Sequence, residues 1–187
     1  LFSNSMDNTI AISLANMLTS GILKGINLGQ SHYITTTGWR AIFCALKIPS
    51  CNLEELSITY YEFNDEDVTY LGESLSDCNC LLKTLDLECN NNDAVSTITS
   101  VGWESLALAL RNPQSALEKM SLRFNGINNH DINAFAASLR GNNKMKELIL
   151  GPDLDYNVSR KNWEPILDVV CNEASIDATF DSNHTLE

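Results

Sequence analysis

Two spacings of apolar residues alternate between Leu117 and Leu139. Leu117, Met120 and Leu122 fall three and two residues apart, which suits one buried face of a short strand. Ile132, Phe135 and Leu139 fall three and four apart, which predicts an amphipathic helix. Between them, Asn125-Gly-Ile-Asn-Asn129 has turn chemistry. One strand and one helix cannot enclose a core alone, so neighbouring segments must supply the missing faces.

They recur at a fixed distance. The strand pattern returns at Leu23-Lys-Gly-Ile26-Asn-Leu28, Leu53-Glu-Glu-Leu56-Ser-Ile58, Leu82-Lys-Thr-Leu85-Asp-Leu87 and Met145-Lys-Glu-Leu148-Ile-Leu150, with a weaker copy from Ile176. Successive starts are separated by 30, 29, 35, 28 and 31 residues. A period near thirty on a leucine grid predicts a solenoid. The grid resembles leucine-rich repeats of the ribonuclease-inhibitor type, LxxLxLxxNxL followed by a helix carrying GxxxLxxxL. That resemblance implies an α/β fold: a right-handed βα solenoid bent into a horseshoe arc, its parallel sheet concave and its helices convex. It covers residues 1–187 as one domain, with a partial repeat at 1–22, repeats from near 23, 53, 82, 117 and 145, and a partial repeat at 176–187.

The copies differ in informative places. Leu1, Asn4 and Met6 begin inside a repeat, whose helix face is Ile10, Leu14 and Leu18 and whose helix closes at Gly21. Ser31 takes the turn asparagine's place in the next copy, followed by Tyr33 and a helix with Gly38, Trp39, Ile42 and Leu46, which Pro49 stops. Tyr61 occupies the turn position of the third copy. Asn64-Asp-Glu-Asp67 then reads as a capped helix start with acids at the positive end of the helix dipole, and Val68, Leu71 and Leu75 form the stripe. The fourth copy keeps Asn90 but carries an insertion over 91–100, expected as a loop, before Gly102, Trp103, Leu106 and Leu110. Trp39 and Trp103 follow equivalent glycines and predict packing of repeat on repeat. The copy from Met145 has Pro152-Asp153 at its turn and Trp163, Leu167 and Val170 as its helix face. Pro165 is tolerable only in a first turn, which places the helix start near Asn162. Both ends fall inside a repeat, which predicts a fragment of a longer array.

Composition narrows the function. The net charge is −12 and the sequence pI near 4.5. Eleven acids lie between Glu54 and Asp93, against Lys83 as the one base there. This excludes a basic stripe for nucleic acid and disfavours an anionic membrane surface. It predicts a solvated acidic surface, or a contact face for a basic partner. No apolar run is long enough to cross a membrane, and the first residues lack the pattern of a signal peptide. The six cysteines, at 44, 51, 78, 80, 89 and 171, do not form a zinc spacing and read as reduced structural thiols. A cytoplasmic location is the expectation; the glycosylation patterns at Asn157 and Asn183 are too short to argue otherwise.

No catalytic constellation is apparent. His32, His130 and His184 fall in turns of different repeats, and no GxSxG, HExxH or phosphate loop occurs. Asp65 to Asp77 lacks a calcium loop's spaced ligands. We therefore expect no enzyme, cofactor or metal. Strands about 4.8 Å apart and helices no closer than about 8–10 Å must bend the stack toward the sheet, and residues between the strand leucines face that side. One column there reads Tyr60, Cys89, Phe124 and the next Thr59, Glu88, Arg123, with Asp86 beside them. Thr59, Tyr60, Asp86, Glu88, Arg123 and Phe124 are thus the candidate protein-binding residues, aromatics flanked by charge. A simple cross-strand Glu88–Arg123 pair is the bland alternative. The expected function is a non-catalytic scaffold binding a protein partner through the sheet face and turn loops. The alternative is a regulator of a small GTPase, because Ran GTPase-activating proteins resemble this repeat type; Lys83 or Arg123 would then act on the GTPase.

Overall fold

A computed structural model describes residues 6–29, 31, 33–88, 97–150 and 164–170. Helices and strands alternate: α1 (Asn8–Leu18), β1 (Gly25–Gly29), α2 (Thr36–Leu46), β2 (Glu55–Thr59), α3 (Asp65–Leu75), β3 (Thr84–Glu88), α4 (Ser100–Ala109), β4 (Lys119–Ser121), α5 (Asn129–Leu139), β5 (Glu147–Ile149) and α6 (Glu164–Val170). The five strands form one sheet in chain order, every pair parallel. Parallel neighbours need a crossover, and each crossover here is one helix. This is an α/β architecture of leucine-rich-repeat type.

Register turns the leucine grid into rows. Ile26, Leu56, Leu85, Met120 and Leu148 lie side by side across all five strands, and Leu28, Ile58 and Leu87 form the next row. All but the half-buried Leu148 are buried with the helix stripes in one continuous core. The intervening strand residues stay open on the other face. Trp39 and Phe63 meet edge to face with ring centroids 4.7 Å apart, and Trp39 stacks on Phe43 at 5.9 Å. Trp103 is equally buried. Both tryptophans are core residues, and Trp39 joins its repeat to the next through Phe63.

The helices are stitched at their starts. From α1 to α4, the first residue of each helix bonds the N-cap of the next: Asn8 accepts from the Thr35 N–H at 3.0 Å, and Asn64 donates to the Thr36 hydroxyl at 3.2 Å. Asp65 accepts from the Thr99 N–H and hydroxyl, both at 2.7 Å, and Asn128 donates to Ser100 at 3.5 Å. The glycines before the tryptophans make room for this. A Cβ on Gly102 would stand 2.7 Å from Asp65 Oδ1, and one on Gly38 2.7 Å from Asn8 Oδ1. Asn64 and Asn128 also cap their own helices in full capping boxes with Asp67 and Asp131.

Two expectations are corrected. In α6, Pro165 does sit in the first turn, but Ile166 and Val169 turn inward and Leu167 points to solvent, while the side chain of Val170 lies outside the described residues. The three-residue step from Ile166 to Val169 matches that from Ile132 to Phe135 in α5, so counting inward positions from Trp163 misplaced the stripe. The strand at Lys119 ends at Ser121, so Arg123 lies beyond it in the turn rather than on a strand. Residues 1–5, Gln30, His32, 89–96, 151–163 and 171–187, with the expectations for Asn90, most of the insertion, Pro152-Asp153, Trp163 and the terminal partial repeats, lie outside the described residues.

Candidate protein-binding surface

The open face of the sheet is built from the residues that alternate with the leucines, and its two edges differ. Just before the strands, one residue per repeat reads Lys24, Glu54, Lys83, Glu118, Lys146. Lys24 and Lys83 donate to the two carboxylate oxygens of Glu54 at 2.7 and 2.6 Å, and Lys146 donates to Glu118 at 2.9 Å. One residue on, Lys119 pairs with Glu147 at 2.9 Å. The hydrogen bond from Lys24, then that from Lys83, hold the Glu54 carboxyl down at about 2. Lys146 likewise lowers Glu118, and Glu54 raises Lys83. The alternation is written in the sequence but becomes visible only when the repeats are laid in register, and sequence reasoning missed it. Lys83 is thereby paired with Glu54.

In the middle of the face, Asn27, Ser57, Asp86 and Ser121 lie in one row. Asp86 belongs to the central strand β3. Ser57 donates to its Oδ2 at a weak 3.4 Å, while its Oδ1 is buried without a hydrogen-bond partner. Burial raises the Asp86 pKa, the Glu88 charge adds to that, and Ser57, Ser121 and Arg123 offset it in part. An ionised carboxylate with one idle, desolvated oxygen gains from any donor brought to it.

At the far edge the strands run out into turns. Thr59 pairs in register with Gly29 and Glu88, at the ends of β2, β1 and β3. Tyr60 follows with φ 54° and Phe124 with φ 58°, the only non-glycine residues of the described chain in the left-handed region. The Tyr60 ring is exposed and the Phe124 ring half-buried. Tyr60 N–H donates to the Glu88 carbonyl at 3.4 Å, which ties its turn to β3. Arg123 is exposed. Because β4 ends at Ser121, the ladder stops before Glu88 and Arg123 could pair, and the ion pairs of the described residues run elsewhere. The bland cross-strand pair is absent; Arg123 acts instead on Asp86 through its charge. Five of the six candidate residues lie at or just beyond the C-terminal ends of β2 to β4, and Asp86 lies inward of them in the middle of β3. Cys89, the middle of the aromatic column, lies outside the described residues.

Tyr61, a departure in the sequence, is structural. It is buried, and its hydroxyl donates to the Asn125 side chain. Asn125 in turn donates to the carbonyls of Leu87 at 2.6 Å and Arg123 at 3.1 Å. Nothing in a sequence links positions 61 and 125; only stacking brings them together. Cys44, Cys51, Cys78 and Cys80 are free thiols, with Cys51 and Cys80 buried and the Cys80 pKa raised by that burial. His130 is exposed beside Glu104 at 3.5 Å. Among the described residues no three His, Cys, Asp or Glu side chains converge as a metal site requires, and no helix is long and apolar enough to cross a membrane.

Comparison with solved structures agrees with the architecture. The C-terminal domain of tropomodulin from Caenorhabditis elegans superposes with a TM-score of 0.60 at 13% identity, over 86% of this chain and 89% of that one. Leiomodin-1 actin-binding site 2 superposes with a TM-score of 0.61 at 14% identity, over 84% of this chain and 86% of that one. At such identities the likeness is one of fold. No protein-family model matches the sequence, and no curated protein matches it.

Proposed function

We propose that this chain is a non-catalytic protein-interaction scaffold of ribonuclease-inhibitor-like build, an arc whose open sheet face lines the concave side. The partner docks at the C-terminal ends of β2 to β4, on Tyr60 and Phe124, with Asp86, Glu88, Thr59 and Arg123 around them. The observation that carries the reading is the pair of aromatics held at φ 54° and 58°. A left-handed backbone costs a non-glycine residue about 1–2 kcal/mol. Glycine would make the same turns without that cost, so what the two rings add is their side-chain surface. Rigid aromatic anchors beside a polar rim are the composition of binding hot spots.

The charge around them favours a partner that brings a basic group to Asp86 and Glu88. Leiomodin-1 lends support from outside: the superposed part of that protein is an actin-binding site. Actin is accordingly the first partner to test, followed by proteins recovered on the immobilised chain. Replacing Tyr60 and Phe124 together by alanine should weaken capture at least about tenfold, and rising salt should weaken what remains. Undiminished recovery of every partner by the double variant would sink this reading.

A further inference from the structure

Three contact residues of the open edge sit one position from a buried hydrogen-bond network. Tyr60 precedes Tyr61, Glu88 follows Leu87, and Phe124 lies between Arg123 and Asn125. Tyr61 and Asn125 are both buried, and the Tyr61 hydroxyl donates to the Asn125 side chain across 64 positions of the chain. Asn125 passes the link on to the carbonyls of Leu87 at 2.6 Å and Arg123 at 3.1 Å. The network therefore reaches the backbone beside Tyr60, Glu88 and Phe124, at the ends of β2, β3 and β4 in turn.

Tyr61 gives the network its reach. The same turn position holds Ser31 in the copy before and Asn125 two copies on. Ser31 donates to the Leu28 carbonyl of its own repeat at 3.3 Å, and Asn125 reaches one strand back. A phenol is longer than either, so Tyr61 spans from the end of β2 to the end of β4. Its ring is held at the base: it packs on Phe63 with centroids 4.1 Å apart, and Phe63 meets Trp39 and Phe43 edge to face at 4.7 and 5.9 Å. A hydroxyl on a clamped ring has little freedom to seek another acceptor. The direct tie between the first two turns, from the Tyr60 N–H to the Glu88 carbonyl, is long at 3.4 Å. The spacing of the contact residues thus depends on the route through Tyr61.

We propose that Tyr61 is a positioning residue for partner binding: its hydroxyl fixes the turns that carry Tyr60, Glu88 and Phe124 at one spacing, so that they meet a partner already ordered. This rests on the reading of the open edge as the contact surface, and adds which buried group makes that surface rigid. A surface ordered beforehand loses less freedom on binding. Nitrogen-15 relaxation on the whole chain tests it. In the parent, the amides of Tyr60, Glu88 and Phe124 should have order parameters of about 0.85, like those of Leu56 and Leu85. In Tyr61→Phe, which keeps the ring and loses the hydroxyl, all three should fall toward about 0.6 while Leu56 and Leu85 hold. The same variant should bind monomeric actin about threefold to tenfold more weakly, the worth of one hydrogen bond. Contact turns mobile in the parent, or unmoved in Tyr61→Phe while its melting temperature falls, would overturn the inference. So would loss of the folded far-UV spectrum in Tyr61→Phe, which would make the hydroxyl a requirement of the fold. Those outcomes leave the contact surface standing, because Tyr60→Ala/Phe124→Ala tests it with the Tyr61 hydroxyl in place. Undiminished actin binding by that double variant would instead sink the surface, and the role of Tyr61 in binding with it. The relaxation readout needs no partner, so it decides whether Tyr61 orders the turns whether or not actin binds.

Discussion

The two edges of the open sheet face use charge in opposite ways. Before the strands, Lys24, Glu54 and Lys83 satisfy one another, as Glu118 and Lys146 do. Beyond them, Arg123 stands exposed and two aromatics occupy strained turns, and on the row between the two edges Asp86 keeps an idle oxygen. One edge has spent its charges on neighbouring repeats, which leaves little for a partner. The other has left its groups open at some cost to the fold. Ion pairs at an exposed edge stabilise little, so what the first edge supplies is alignment of like repeats. The second supplies the chemistry of contact.

The sharpest way to break this comparison is to exchange the roles of the edges in a binding assay. Tyr60→Ala/Phe124→Ala should cost at least about tenfold in affinity for a captured partner, while Glu54→Gln at the closed edge should change it less than about twofold. Equal losses would mean that the edges do not differ in function. Strain gives the next largest effect. Phe124→Gly should be more stable than Phe124→Ala by about 1 kcal/mol in urea unfolding, because only glycine relieves the φ of 58°; a tie would remove the strain argument.

Asp86 gives a smaller, pH-dependent effect. Its pKa is raised in the folded chain, so the folded state binds this proton more tightly than the unfolded one. Ionised Asp86 therefore weakens the fold above its folded pKa and ceases to do so once pH falls below the unfolded value. Asp86→Asn should raise the melting temperature at pH 7, with the gain shrinking through the carboxylate range, and should at the same time weaken binding of a basic partner. A variant less stable than the parent at pH 7 would make Asp86 a structural group. Glu54 runs the other way and smallest of all. Its pKa is lowered to about 2, so its contribution is complete above the unfolded value near 4.5 and disappears as pH falls toward 2. Melts of Glu54→Gln and parent should differ slightly at neutral pH and converge near pH 2; added salt should shrink the difference.

The fold was legible because it is periodic. Leu56, Leu85 and Met120 repeat a spacing that fixes which face is buried, and burial of a grid of leucines needs no knowledge of partners. The site was legible only as a neighbourhood. Tyr60 and Phe124 stood out as large apolar residues between leucines, but their left-handed backbone is decided by how each turn meets the next strand. Arg123 looked like a strand residue because the grid continues through Leu122, whereas pairing of β4 ends at Ser121. Tyr61 and Asn125, Asp65 and Thr99, and the Lys24–Glu54–Lys83 ladder are all contacts between repeats. Such contacts follow from stacking, which a single repeat's pattern does not contain. Ile10 was expected on the buried face of its helix with Leu14 and Leu18, but it is exposed, and Ala11 and Ala15 complete that face.

The stitch from Asp65 to Thr99 and Gly102 has a consequence for how the molecule comes apart. A helix whose first turn is completed by the helix before it cannot lose that neighbour and keep its own free energy. The array then behaves as a row of coupled units in which melting one repeat lowers the barrier for the next. Asp65→Ala should accordingly loosen α4 rather than α3, and amide exchange should speed up downstream of the substitution before it does upstream. The length over which that loosening travels would measure how many repeats unfold as one.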